Sequence, residues 1–306
     1  MNRIDEVARG ACLRLGVEYR PTPADGRWHA LDLLDDPKGK QDARIKIFPG
    51  GTGGLLWNHK SGAHENFFAN SSRILTNLDR GKIAEAKERA VQQISQKQAI
   101  TARKARFIHQ HGRPATSKHD QFYMVEKNIA PPPNLLRIAN WHRRYLDPDT
   151  KKWRDLLIKD CLIAPMLNEF GAIENVQAIF PKKNKLLGRN KDFLPGGRTA
   201  GLFCPIGQKT PTVCICEGLA TAISVNDITN FRTYAAFSAA NLEAIALLVK
   251  KHRPQARIIV CGDNDASGVG QKYAEQAAEA VNGLVCWPPE TGDFNDYINN
   301  TESAHG

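Results

Sequence analysis

A chain of 306 residues can build one to three domains with sizeable cores, and its net charge of +10 (42 Lys and Arg, 32 Asp and Glu) is unevenly spread. Residues 1–210 carry 36 basic and 21 acidic side chains, while residues 211–306 carry 6 and 11, so a basic body adjoins an acidic module. No apolar run reaches membrane-spanning length, the N-terminus lacks a signal-peptide core, and seven cysteines without a C-x-x-C pair argue against a disulfide framework; the expectation is a cytoplasmic protein with reduced thiols and no membrane partner.

In chain order, residues 3–17 read as a short amphipathic helix, with Ile4, Val7, Ala8, Ala11, Cys12 and Leu15 at helical spacing before Pro21 and Pro23. Strand-like pieces follow at Trp28–Leu31, Ala43–Phe48 and Leu55–Asn58, with paired glycines at 50–51 and 53–54 supplying turns. Trp28, Trp57, Phe67 and Phe68 in this β-rich module are candidates for base stacking or for its small core. Residues 80–110 are rich in Ala, Lys, Glu and Gln and predict one long solvated helix acting as a connector.

Ser117 is a candidate cap for a helix running to Lys127, broken by Asn128-Ile-Ala-Pro-Pro-Pro. Asp160–Leu167 and Ile173–Phe180 predict an antiparallel pair around Asn168-Glu-Phe-Gly171. A basic run then supplies Lys182, Lys183, Lys185, Arg189, Lys191 and Arg198 as candidate phosphate contacts. From Thr212 strands and helices alternate: strands 212–216, 232–237, 257–262 and 284–287, helices 218–228, 240–252 and 268–282. That alternation predicts a parallel sheet with right-handed crossovers.

Two of these strands end in acid. Glu217-Gly218 follows the first, and Gly262-Asp263-Asn264-Asp265-Ala-Ser267-Gly268 follows the third. Open parallel sheets collect ligands at the C-terminal ends of their strands, and hard carboxylate oxygens there hold Mg²⁺ against phosphate. Gly292-Asp293-Phe294-Asn295-Asp296 follows the last strand, where Asp293 is a further candidate ligand and Asp296 a helix-capping or site-closing residue. Each motif alone is an ordinary turn or helix entry; their order on alternating elements points to phosphoryl transfer on nucleic acid.

The Glu217-Gly218 and Asp263-x-Asp265 pair resembles the Toprim domain of bacterial DNA primases, topoisomerases and some nucleases. The longer stretches Glu217–Ser224, Ala-Ala-Phe-Ser-Ala-Ala-Asn241, Asp293-Phe-Asn-Asp and Lys191-Asp-Phe193-Leu-Pro-Gly-Gly resemble primases of plasmids and phages. The resemblance implies an α/β fold: a C-terminal Toprim domain at 211–306, a basic α+β subdomain at 117–210, a helical connector at 79–116 and a zinc-ribbon-like β-module at 1–78. It also implies catalysis by Glu217, Asp263 and Asp265 with Mg²⁺ or Mn²⁺, and partners in a single-stranded DNA template, nucleoside triphosphates and a separate replicative helicase. Zinc is not expected, since no Cys lies between Cys12 and Cys161, and His29, His59 and His64 are a poor ligand set. Alternatives left open are a Toprim nuclease and a non-catalytic DNA-binding replication accessory.

Overall fold

The computed structural model describes residues 3–35, 41–69, 77–147, 150–266 and 268–305. It falls into two compact units, residues 1–86 and 87–306. Among the described residues no helix is long and apolar enough to cross a membrane.

The first unit opens with α1 (Arg3–Arg14), whose Ile4, Ala8, Ala11 and Cys12 share one face and are buried. That face lies on an antiparallel sheet of β1 (His29–Leu31), β2 (Ala43–Ile47), β3 (Gly53–Asn58) and β4 (His64–Phe68). Strand periodicity decides what is core. Ala43, Ile45, Ile47, Leu56 and Phe67 turn inward with α1, while Arg44, Trp57 and His64, which are register partners, turn outward. β4 carries no clear strand signal, because His64-Glu-Asn-Phe-Phe alternates too weakly to mark one; a hairpin turn follows Asn58 and joins β3 to β4.

The second unit holds two sheets. α2 (Asn77–His111) leads into it and then β5 (Arg113–Pro114). The expectation of a fully solvated connector fails at its C-terminal third. There Thr101, Ala102 and Ala105 are buried, and Ala105 packs with Trp141, Cys161, Ile163, Val176, Ala178 and Phe180. Small residues at helical spacing let the helix backbone approach a sheet, a signal masked by the charged residues around them. The predicted helix from Ser117 is in fact a single 3₁₀ turn (Lys118–Asp120), closed by a reciprocal Ser117–Asp120 capping box. The short α3 (Phe122–Glu126) follows, N-capped by Gln121.

The antiparallel sheet runs β5-β6-β7-β8-β9, with β6 (Arg137–Leu146), β7 (Trp153–Leu167), β8 (Ile173–Asn184) and β9 (Arg189–Phe193). β7 and β8 form the expected pair; β6, hidden by its Arg and His content, completes it. Trp141 of β6 is 1% exposed, and its indole donates to Asp192 at 3.0 Å. Removing that ring would cost about 3–5 kcal/mol.

The other sheet runs β10-β12-β11-β13-β14, with β10 (Cys204–Ile206), β11 (Thr212–Cys216), β12 (Arg232–Ala235), β13 (Arg257–Cys261) and β14 (Leu284–Cys286). β12, β11, β13 and β14 are parallel neighbours, as alternation predicts. β10 adds an antiparallel edge too short to read from sequence. α4 (Leu219–Thr229) packs against one face, and α5 (Leu242–His252) with α6 (Val269–Glu279) against the other. After β14 comes α7 (Phe294–His305), at whose start Asp293 and Asp296 lie. One apolar core joins the two sheets: Tyr123, Met124, Leu136, Ile138, Leu162 and Ile179 pack with Cys214, Cys216, Leu219 and Ile223.

Candidate active site

Register brings the acidic motifs together. Cys216 of β11 pairs with Cys261 of β13, and Cys261 with Cys286 of β14. Glu217 and Asp263 therefore leave neighbouring strands at the same end. Asn264 and Gly292 then exchange two backbone hydrogen bonds of 2.9 Å, lacing the loop after β13 to the segment carrying Asp293. The β13 loop has little slack. A methyl group on Gly262 would lie 2.7 Å from Ala274 Cβ, and one on Gly270 would lie 2.8 Å from Asp263 O and 2.9 Å from Asp265 Oδ2.

The carboxylates are not equivalent. Asp263 Oδ1 is buried without a hydrogen-bond partner. Burial, then the charges of Glu217, Asp293 and Asp265, push its carboxyl up from 3.8 to about 7, against the pull of Lys191. Glu217 is also raised, first by burial, with Lys191 and the Ala239 backbone N–H opposing. Asp265 Oδ2 accepts from Gly270 N at 3.0 Å, which ties it to the start of α6. Asp293 Oδ1 accepts from Asp296 N at 3.0 Å and caps α7. Ser267 lies outside the described residues.

Two lysines enter this acidic mouth from the neighbouring sheet's side. β9 explains the first. Along Lys191-Asp192-Phe193 successive side chains point to opposite faces. Asp192 turns into the antiparallel sheet, 5% exposed, where it binds Trp141 and pairs with Arg143 and Arg189 at 3.0 and 2.8 Å. Lys191 and Phe193 turn the other way. Phe193 meets Phe237 edge-on, ring centroids 6.4 Å apart, and Phe237 N donates to Glu217 O at 2.8 Å. Lys191 sits over the Tyr123 ring. Burial and Lys127 lower its pKa, while Asp293, Glu217 and Asp263 hold it up.

Lys127 is the second lysine, and sequence reasoning missed it. Its Nζ lies 2.7 Å from Asp296 Oδ1 and 3.9 Å from Asp293 Oδ2. Burial pulls its pKa down, but Asp296 and Asp293 outweigh that and raise it. The fully buried Asn295 fixes the residue by donating to Lys127 O at 2.7 Å and to Ser224 Oγ at 2.8 Å; Asn299 adds a third bond at 3.1 Å. A single Lys before Asn-Ile-Ala-Pro carries no pattern that would single it out. The other motif asparagine, Asn241, is structural: its amide donates to Leu202 O and Ala236 O and accepts from Gly201 N.

The remaining basic candidates divide. Lys182, Lys183 and Lys185 are exposed around the β8–β9 turn, Lys182 over the Phe122 ring. Arg189 pairs with Asp192, and Arg198 with Glu174 at 3.0 Å. In the first unit, Trp28, Arg44, Trp57 and His59 line a cleft of about 310 Å³. Trp57 stacks on His59 at 5.3 Å between centroids. Trp28, Trp57 and Phe68 are exposed, and Phe67 belongs to the core.

Among the described residues no three His, Cys, Asp or Glu side chains are grouped closely enough to share an ion. The donor chemistry nevertheless fits Mg²⁺ or Mn²⁺. Asp263 Oδ1 is an unpartnered hard oxygen, and the charges of Glu217, Asp293 and Asp265 converge on it.

Residues 212–304 match the Toprim domain family, so the chain carries a Toprim domain. It is similar to DNA primase TraC of Escherichia coli, 24% identical over 282 residues covering 86% of this chain and 18% of that protein. The chain thus spans about a fifth of that relative's length. A DNA primase domain from Pseudomonas aeruginosa superposes with a TM-score of 0.45 at 16% identity, covering 68% of this chain and 77% of that one. The DnaG primase catalytic domain bound to ssDNA superposes with a TM-score of 0.46 at 11% identity, covering 70% and 80%.

Proposed function

We propose that this protein is a primase-type nucleotidyltransferase that joins nucleoside triphosphates on a single-stranded DNA template. The observation that carries the reading is the meeting of Glu217, Asp263 and Asp293 with Lys191 and Lys127 at the C-terminal edge of a Toprim sheet. Asp263, with the charges of Glu217 and Asp293 directed at its unpartnered oxygen, would hold Mg²⁺ or Mn²⁺, which when bound polarises a phosphate and stabilises the charge that develops on it. Asp265, anchored to Gly270, shapes the loop that presents Asp263.

The lysines supply the complementary charge. Lys191, half-buried among three carboxylates and over Tyr123, is placed to pair with a phosphate that approaches the Toprim edge. Glu217, its pKa raised by burial, is suited to accept the proton of an attacking 3′-hydroxyl. Lys182, Lys183 and Lys185 offer exposed charge to the template backbone. In the first unit, exposed Trp28 and Trp57 stand with half-buried Arg44 and Lys46 on one face, which is suited to unpaired bases and their phosphates. A separate helicase is the partner that would deliver such a strand.

The test is de novo primer synthesis on single-stranded DNA with ribonucleoside triphosphates and Mg²⁺ or Mn²⁺. Synthesis by the wild type and its loss in Asp263→Asn supports the reading. Metal-dependent cleavage of a labelled strand without synthesis would assign a nuclease instead, and DNA binding without either reaction an accessory protein.

A further inference from the structure

Directly beneath the acidic mouth lies a cluster of four thiols that the proposed reaction does not use. Cys216, Cys261 and Cys286 form one continuous row across β11, β13 and β14. Cys214, two residues before Cys216, shares its face, and all four adjoin the same core. Cys261 is the hub: it pairs in register with Cys216 and Cys286 on either side, and Cys286 Sγ is 3.7 Å from Cys261 Sγ. Three of the four are sealed, with Cys214, Cys216 and Cys261 no more than 3% exposed, while Cys286 is only half-buried.

We infer that Cys286 and Cys261 form a peroxide-responsive dithiol whose oxidation switches off the adjacent acidic site. The inference rests on the functional reading above for its consequence, though not for its chemistry. The Cys286 thiolate attacks one oxygen of hydrogen peroxide; the O–O bond breaks, water leaves after protonation, and Cys286 becomes a sulfenic acid. The Cys261 thiolate then attacks Cys286 Sγ, the S–O bond breaks, and a second water leaves. Two thiols and one peroxide give one disulfide and two waters, and two electrons pass from sulfur to oxygen.

Geometry favours this pair over the others. Register partners on adjacent strands have backbones about 4.7–4.9 Å apart, inside the roughly 4.4–6.8 Å Cα span of disulfides. Of the other three thiols, Cys286 alone combines contact with Cys261 and access to solvent. The consequence for the site follows from the short connection. Asp263 is two residues past Cys261, and the intervening Gly262 N donates to Cys286 O at 2.9 Å. Closing 3.7 Å to a disulfide of about 2.05 Å turns both thiols toward each other and clamps the end of β13 to β14 beneath Asp263. Gly262, bonded to Cys286 O and leaving no space for even a methyl group against Ala274, is the one residue between the clamped thiol and Asp263, so the change in side-chain packing reaches the acidic site.

The test treats the full chain with hydrogen peroxide and reads intact mass, peptide map and primer synthesis. The expected result is a loss of about 2 Da, a Cys261–Cys286 cross-linked peptide, and synthesis lowered by roughly 10- to 100-fold, all reversed by dithiothreitol. Cys286→Ser and Cys286→Ala should keep the untreated activity and the wild-type melting temperature, and should resist peroxide; Cys214→Ser should respond as the wild type does. A cross-link through Cys214 or Cys216, sulfinic acid at Cys286 without a cross-link, or a cross-link that leaves synthesis unchanged would overturn the inference. Mass and peptide map read the bond whether or not the chain synthesises primers, so failure of the primase reading is seen separately.

Discussion

Replacing Asp263 by Asn tests the electrostatics of the site without relying on its reaction. The carboxyl is held at about 7 in the folded protein against 3.8 for the free group. A pKa raised by folding means that the folded state resists ionisation. Below about pH 4 the group is protonated in both states and contributes nothing. As pH rises from about 4 to about 7 the unfolded chain loses the proton first, so stability falls by up to about 1.4 kcal/mol per pH unit, and above about 7 the loss is constant. The full shift corresponds to an upper bound of about 4 kcal/mol. Asp263→Asn removes the charge and retains the shape, and its amide can donate to the neighbouring carboxylates. In chelator-containing buffer the variant should gain about 2–4 kcal/mol over the wild type at pH 8, raise the midpoint of thermal unfolding by several degrees, and lose this advantage by pH 4. Adding Mg²⁺ or Mn²⁺ at pH 8 should restore stability to the wild type and do little for the variant. A variant no more stable than the wild type at pH 8, or a gain that is the same at every pH, would refute the reasoning.

Lys191→Met should abolish synthesis while preserving the fold, and should push the Glu217 and Asp263 carboxyls higher still, because the ammonium that lowers both is gone; the pH profile of metal binding reads this. Changing Lys182, Lys183 and Lys185 together to Ala should shallow the log–log salt slope of single-stranded DNA binding by up to about 2 units; an unchanged slope would place the strand elsewhere. Trp57→Ala, at an exposed position, should leave the melting temperature within a degree or two and weaken single-stranded DNA binding by about 1–3 kcal/mol, read by fluorescence titration of the isolated strand. Elemental analysis of the purified protein should find no stoichiometric zinc; about one zinc per chain would make His59 and His64 suspects.

The alternating apolar runs from Thr212 onward determined the parallel strands and the helices between them, because buried strands and crossover helices each impose a local period. They also determined that Glu217 and Asp263 end strands, since each acid stands at the point where an apolar run stops. Which strands lie side by side is not local. Only the register Cys216–Cys261–Cys286 makes Glu217, Asp263 and Asp293 neighbours, and only the Asn264–Gly292 bridge fixes the last of them. The basic run shows the limit most clearly. Composition treats Lys191, Arg189 and Arg198 alike, whereas folding sends Lys191 among carboxylates and closes the two arginines onto Asp192 and Glu174. The sequence specifies how many charges there are and which side of a strand each one takes. Whether a charge meets water, a partner or a like charge depends on residues distant in the chain, and for Lys127 those residues lie some 170 positions away, in α7.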